Sequence, residues 1–133
     1  MTNKSKKILS EISAGELLDK ISILEIKLDK IKNKINQDEI NKDYNLLKKA
    51  RDSNIQMTDE IRYLFKEIKE VNLNLWDIEN DIRVCEKNKD FSENFTQLSR
   101  SVYLNNDKRA KIKLKINEVL GSNIKEIKQY SEY

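Results

Sequence analysis

The chain has 133 residues, 38% apolar and 37% charged, and its 26 basic and 23 acidic side chains leave a net charge of +3. With no proline and only two glycines, it lacks the turn punctuation of an all-β sandwich or a doubly wound α/β fold. Without histidine, and with a single cysteine, it has no Ser-His-Asp or Cys-His apparatus and no zinc site built from histidines or paired cysteines.

The two signs of charge are interleaved, as on a solvated helical surface, rather than gathered into a basic stripe. Nucleic acid is therefore not an expected partner. No run of about 18 apolar residues is present, and Met1–Ser10 is polar and basic with no apolar stretch, so neither a membrane span nor a secretory signal is expected. Cys85 has no second cysteine to pair with. These features together point to the cytoplasm. Five arginines stand among many lysines; a lysine-rich chain that keeps arginine at a few positions directs attention to those positions.

In chain order, residues 1–11 read as a flexible N-terminal tail. Ser13 and Glu16 have capping-box spacing, with Ile12 and Leu17 placed as a hydrophobic staple. The spacing of Leu17, Ile21, Leu24, Leu28, Ile31 and Ile35 predicts one helix with a heptad seam. Leu18, Ile23 and Ile26 make its first half apolar on most sides, which suits a central helix or one at an oligomer interface. A weaker helix with Ile40, Tyr44 and Leu47 on one face frays into Asp52-Ser53-Asn54.

Thr58 or Asp59 caps a third helix, expected over 59–88. Its seam is Ile61, Leu64, Ile68, Val71, Leu75, Ile78, Ile82 and Cys85. Asp90 and Glu93 suggest a further capping box. Phe91, Phe95, Leu98 and Val102 begin a fourth seam, which reaches Ile112, Ile116 and Val119 only through the polar positions Asn105 and Arg109, and Gly121 supplies a stop. The expected fold is all-α: an antiparallel helical bundle or long helical hairpin of three to five helices with heptad seams, one domain over 12–121, and a C-terminal arm over 122–133.

Charges set into apolar patterns are the candidates for function. The first cluster is Glu16, Asp19, Lys20, Glu25 and Lys27 on the opening helix. Glu16–Lys20 is explained by i, i+4 surface pairing alone. The second is Trp76, Glu79, Arg83 and Glu86 along one side of the third helix, where indole and guanidinium suit a cation–π contact or a stacking platform. The third runs from Arg100 through Tyr103, Asn106 and Asp107 to Arg109. Either that helix is continuous and Arg109 needs a carboxylate such as Glu79, Glu25 or Asp19, or it breaks at 104–107 and Asn106 or Asp107 caps a new helix with an anion site at its start. Lys20, Lys27, Arg83, Arg100 and Arg109 are thus candidate anion-pocket residues. Glu16, Asp19, Glu25, Trp76, Glu79, Tyr103, Asn106 and Asp107 are candidates to line or orient the pocket. No metal site and no catalytic residue is assigned.

The segments Ser13–Lys27, Leu75–Glu86 and Ser99–Ala110 resemble a family of small uncharacterised bacterial proteins, a domain of unknown function. The resemblance runs from about Ile12 to Tyr130. Members sometimes accompany glycosyltransferases of surface-polysaccharide synthesis, so the resemblance implies that setting and carries no catalytic residue with it.

The preferred functional reading is a non-catalytic binding module for a protein partner or a second copy, as a homodimer. The alternative is a small all-α enzyme or sensor that handles a phosphorylated ligand, a nucleotide or nucleotide sugar, through arginine and lysine. Under that alternative alone magnesium enters: all-α nucleotide pyrophosphatases hold it with two acidic pairs, of which this chain has only Glu16-x-x-Asp19.

Overall fold

The computed structural model describes residues 6–133, so the first five residues of the expected tail lie outside the described residues. Four helices follow in order: α1 Ala14–Lys30, α2 Lys34–Asn54, α3 Asp59–Lys87 and α4 Glu93–Leu120, with no strand among the described residues. The chain is an all-α bundle. Helix α1 is the central element and packs against α2, α3 and α4. Its apolar residues on several sides are what allow this: Leu17, Leu18 and Ile21 meet Ile61 and Leu64 of α3 and Ile116 of α4, with Tyr44, Leu47 and Ala50 of α2 packed against that cluster.

The start of α1 is tied down by side chains from two directions. Ser13 Oγ accepts from the Glu16 N–H at 3.1 Å, Ser122 Oγ from the Ala14 N–H at 3.0 Å, and Asn117 Oδ1 from the Gly15 N–H at 2.7 Å. Three free N–H groups of a helix start thus find acceptors, two of them from the far end of the chain. Only half of the expected capping box forms, because the Glu16 carboxylate turns to Lys113 and Lys20 instead of to Ser13. Gly15 permits the approach of α4. A Cβ there would stand 2.5 Å from the Lys113 carbonyl oxygen.

The seam predicted to run from Leu17 to Ile35 is cut. Ile31 is extended and ends α1, and Asn33 caps α2 by accepting from the Asn36 N–H at 3.1 Å. Gln37 holds the corner by donating to the carbonyls of Leu28 and Ile31. Ile35 consequently lies on α2 and is 75% exposed. An asparagine that caps well ends a helix even where apolar spacing continues.

Thr58 is the cap of α3, with Oγ1 accepting from the Ile61 N–H. At its other end the expected Asp90–Glu93 box is replaced: Ser92 is the cap residue without a side-chain bond, Asp90 Oδ1 accepts from the Ser92 N–H, and Glu93 accepts from Gln97. Lys89, at φ 55°, makes the corner. Phe91 sits in that corner, 54% exposed, so it is not part of the α4 seam.

At about 1.5 Å per residue, α3 and α4 are each a little over 40 Å long and pack along one another. They outrun α1. In α3 the buried side chains are Ile61, Leu64, Ile68, Val71 and Asn72, and after them only Cys85; in α4 they are Ile116 and Asn117. The molecule therefore has a base, where four helices converge, and an arm, where two continue alone. Helix α4 does not break at 104–107, so of the two alternatives the continuous helix is the one found, and there is no new helix start there to hold an anion. Gly121, left-handed at φ 62°, ends α4, and the Ser122 N–H returns to the Asn117 carbonyl. Residues 123–133 are irregular and exposed.

Candidate functional site

Beside its apolar seam, α1 carries a stripe of small and polar groups. Gly15, Asp19 and Ser22 are spaced 4-3 and all are buried. Facing them, Arg109, Lys113 and Asn117 step along α4 at intervals of four, and α3 contributes Asn72. Asp19, fully buried, accepts two bonds from Arg109: Nε to Oδ1 at 3.0 Å and Nη2 to Oδ2 at 2.6 Å. Asn72 donates both Nδ2 hydrogens at 2.8 Å, one to Asp19 Oδ1 and one to Ser22 Oγ. Ser22 donates in turn to the Asp19 carbonyl at 2.7 Å. Lys113 Nζ lies 2.6 Å from Glu16, 3.2 Å from Glu126 and 3.6 Å from Asp19.

The ionisation of this network follows from its wiring. Burial pushes the Asp19 carboxyl up, but the bonds from Arg109 and Asn72 and the charges of Arg109 and Lys113 outweigh it and hold the group below its usual range. Burial also pushes Glu16 up, and Lys113 and Lys20 bring it below its usual value. Burial alone would lower Lys113, yet Glu16, Asp19 and Glu126 raise it. Arg109 is raised chiefly by its bonds to Asp19. All four remain charged at neutral pH.

Immediately above this network lies a cleft of about 420 Å³ shared by three helices. Ile23 and Ile26 of α1 and Leu75 of α3 give it apolar walls. Asn72, Trp76, Glu79, Asn80 and Arg83 line it from α3, and Asn106 and Arg109 from α4. The second and third charge clusters of the sequence thus meet here in part, and Asp19 of the first stands beneath.

Apart from Arg83, the remaining candidates lie elsewhere. Arg83 pairs with Glu79 on its own helix, at the cleft mouth. Arg100 is exposed and donates to Gln97, away from the cleft. Lys20 is exposed beside Glu16. Lys27 lines a separate groove with Leu24, Ile40 and Leu46 between α1 and α2. Glu25 clamps three helices by accepting from Tyr44 and Lys69. Tyr103 packs edge-on against Tyr133, and Asp107 accepts from the Tyr133 hydroxyl, so both serve the C-terminal segment. The expected Trp76–Arg83 cation–π contact does not form; such a contact among the described residues is made by Lys48 over Tyr44.

Sequence reasoning missed Asn72, Asn80, Ser22, Lys113 and Asn117. The signal for Asn72 was available: it stands four residues after Ile68, on the buried side of α3. The second stripe on α1 was also written in the 4-3 spacing of Gly15, Asp19 and Ser22. No group of three or more acidic or cysteine side chains among the described residues is arranged to hold a metal ion, and Glu16 and Asp19 are occupied by basic partners.

Fold and cleft together define a small all-α protein with one polar network under a three-helix cleft. The chain belongs to a family of unknown function, DUF6165, whose match spans residues 8–132. No curated protein and no solved structure matches the chain. No helix among the described residues is long and apolar enough to cross a membrane.

Proposed function

We propose that the protein is a non-catalytic α-helical binding module that recognises its ligand or partner group at the three-helix cleft. In this reading it works in the bacterial cytoplasm, beside surface-polysaccharide synthesis, as a homodimer. One observation carries the binding reading: side chains from all three motif segments (Ser13–Lys27, Leu75–Glu86 and Ser99–Ala110) line one cleft, whose two guanidinium groups are each already matched by a carboxylate. A cleft so neutralised is suited to holding a ligand, while an electrophile for chemistry would need unspent positive charge. The buried, unpaired Cys85 agrees with a reducing compartment.

Self-association draws its support from the arm. Val84, Phe91, Tyr103 and Leu104 are apolar or aromatic and exposed on a two-helix segment, which has only one mutual face to bury. Sedimentation should give twice the 15.8 kDa chain mass, and Val84→Asp with Leu104→Asp should return it to the monomer with unchanged helicity. A monomer at every concentration removes the dimer from the proposal.

The phosphorylated-ligand reading is favoured by the presence of Arg83 and Arg109 on the same cleft. Turnover of a nucleotide or nucleotide sugar by the pure protein, abolished by Arg83→Met, would replace the non-catalytic reading with this one.

A further inference from the structure

From the charge and hydrogen-bonding balance of the cleft we infer that its ligand is an uncharged, hydroxyl-bearing ring of about hexose size, stacked on Trp76; the inference rests on the cleft being the recognition site. Several groups at the cleft are left open. Both Nδ2 hydrogens of Asn72 are committed to Asp19 and Ser22, and its Oδ1 has no partner among the described residues, although the residue is only 6% exposed. Arg109 has five N–H donors, of which two are spent on Asp19. The side-chain amide of Asn106 and the indole N–H of Trp76 make no hydrogen bond among the described residues. Among the described residues no polar side-chain atom sealed from solvent lacks a partner, so the open atoms of these residues, all of which line the cleft, are in reach of solvent rather than shut in the packed interior.

The set therefore contains a fixed acceptor at Asn72, fixed donors at Arg109 and a mixed amide at Asn106. Hydroxyl groups donate and accept at once, and they satisfy such a set without bringing charge. Charge would be unwelcome. Each guanidinium that lines the cleft already has its carboxylate, Asp19 for Arg109 and Glu79 for Arg83. A phosphate would find no guanidinium of the cleft without a carboxylate already beside it. The remaining surface, Ile23, Ile26, Leu75 and the Trp76 ring, is matched by the C–H face of a saturated ring. The buried Asp19 acts here as a positioning residue: it holds the Arg109 guanidinium in one orientation before any ligand arrives.

Trp76 is the sole tryptophan, so its emission reports on the cleft directly. The full chain is titrated with glucose, galactose and N-acetylglucosamine, and separately with inorganic phosphate and uridine diphosphate. At least one neutral sugar should change the Trp76 emission saturably, while phosphate leaves it unmoved. Asn106→Leu breaks no protein hydrogen bond; it should weaken the sugar about tenfold or more with unchanged melting temperature and unchanged emission of the free protein. Saturation by phosphate or the nucleotide, with no response to sugars and with sensitivity to Asn106→Leu, overturns the uncharged class and leaves the cleft standing as a recognition site. Sugar binding that Asn106→Leu does not affect overturns the assignment to this cleft. Silence from every probe overturns the inference as well, and the cleft reading of the module with it; the dimer then stands or falls on its mass alone.

Discussion

The base and the arm are made from the same two long helices under different physical terms. In the base, α3 and α4 close around α1, and Leu18, Ile21, Ile61, Ile68 and Ile116 have no measurable exposure. In the arm they have only each other, and Cys85 is the one buried side chain beyond Asn72 on α3. The ion pairs at the cleft show the same division. Asp19–Arg109 joins two helices across a fully buried carboxylate, whereas Glu79–Arg83 joins two turns of one helix in water, with the arginine side chain 70% exposed. Burial, not the presence of a pair, decides what a pair is worth: removing one partner of a buried pair leaves an uncompensated charge, while an exposed pair is screened and conformationally costly to hold.

Asp19→Ala strips that partner from Arg109 and Lys113 and should cost about 3–5 kcal/mol in urea unfolding; a loss below 1 kcal/mol would show that base and arm do not differ as described. Gly15→Ala presses a methyl against the Lys113 carbonyl, a backbone atom that a rotamer change cannot move, and should cost about 1–3 kcal/mol by the same measurement. Acid should act on the base first. Asp19 and Glu16 hold protons more weakly folded than unfolded, so their stabilisation is complete above the ordinary carboxylate range and is lost as pH falls through about 4 and below. Asp19→Ala should flatten that acid limb, and an unflattened limb would assign it to other carboxylates. Thr58→Ala removes the α3 cap bond at the base and should cost about 1 kcal/mol. At the bottom of the scale, Arg83→Met should change stability by no more than about 0.5 kcal/mol; a larger loss would mean that the arm depends on a pair drawn here as solvated.

The helices were legible because their apolar residues repeat every three to four positions and because Thr58, Ser13 and Gly121 mark three of the ends. The end of α1 was not. Ile31 and Ile35 continue the heptad spacing, and a periodicity argument has no means of weighing that against the capping of α2 by Asn33. The continuity of α4 through Asn105 and Arg109 was left open for a related reason. Arg109 is tolerable on an inward face only if a carboxylate waits for it, and that carboxylate is ninety residues away in sequence. The candidate site was legible in its pieces. Trp76, Glu79, Arg83, Asn106 and Arg109 stood out as departures from pattern, and all five line the cleft. Asn80 went unseen because an asparagine between Glu79 and Asp81 looks like surface, and Asn72 because its place on the buried side, four residues after Ile68, was not weighed.

The sequence by itself determined that the protein is helical, where α1 and α3 begin and which faces are apolar, since each of these follows from local spacing and from the hydrogen-bonding needs of helix ends. Only the tertiary structure decided that α1 lies at the centre, that Asp19 is the partner of Arg109, that Tyr103 and Asp107 belong to the C-terminal segment, and that Arg100 stays outside. Those outcomes depend on which distant side chains share a buried space, and a buried charge is stabilised by its neighbours in three dimensions rather than by its neighbours along the chain.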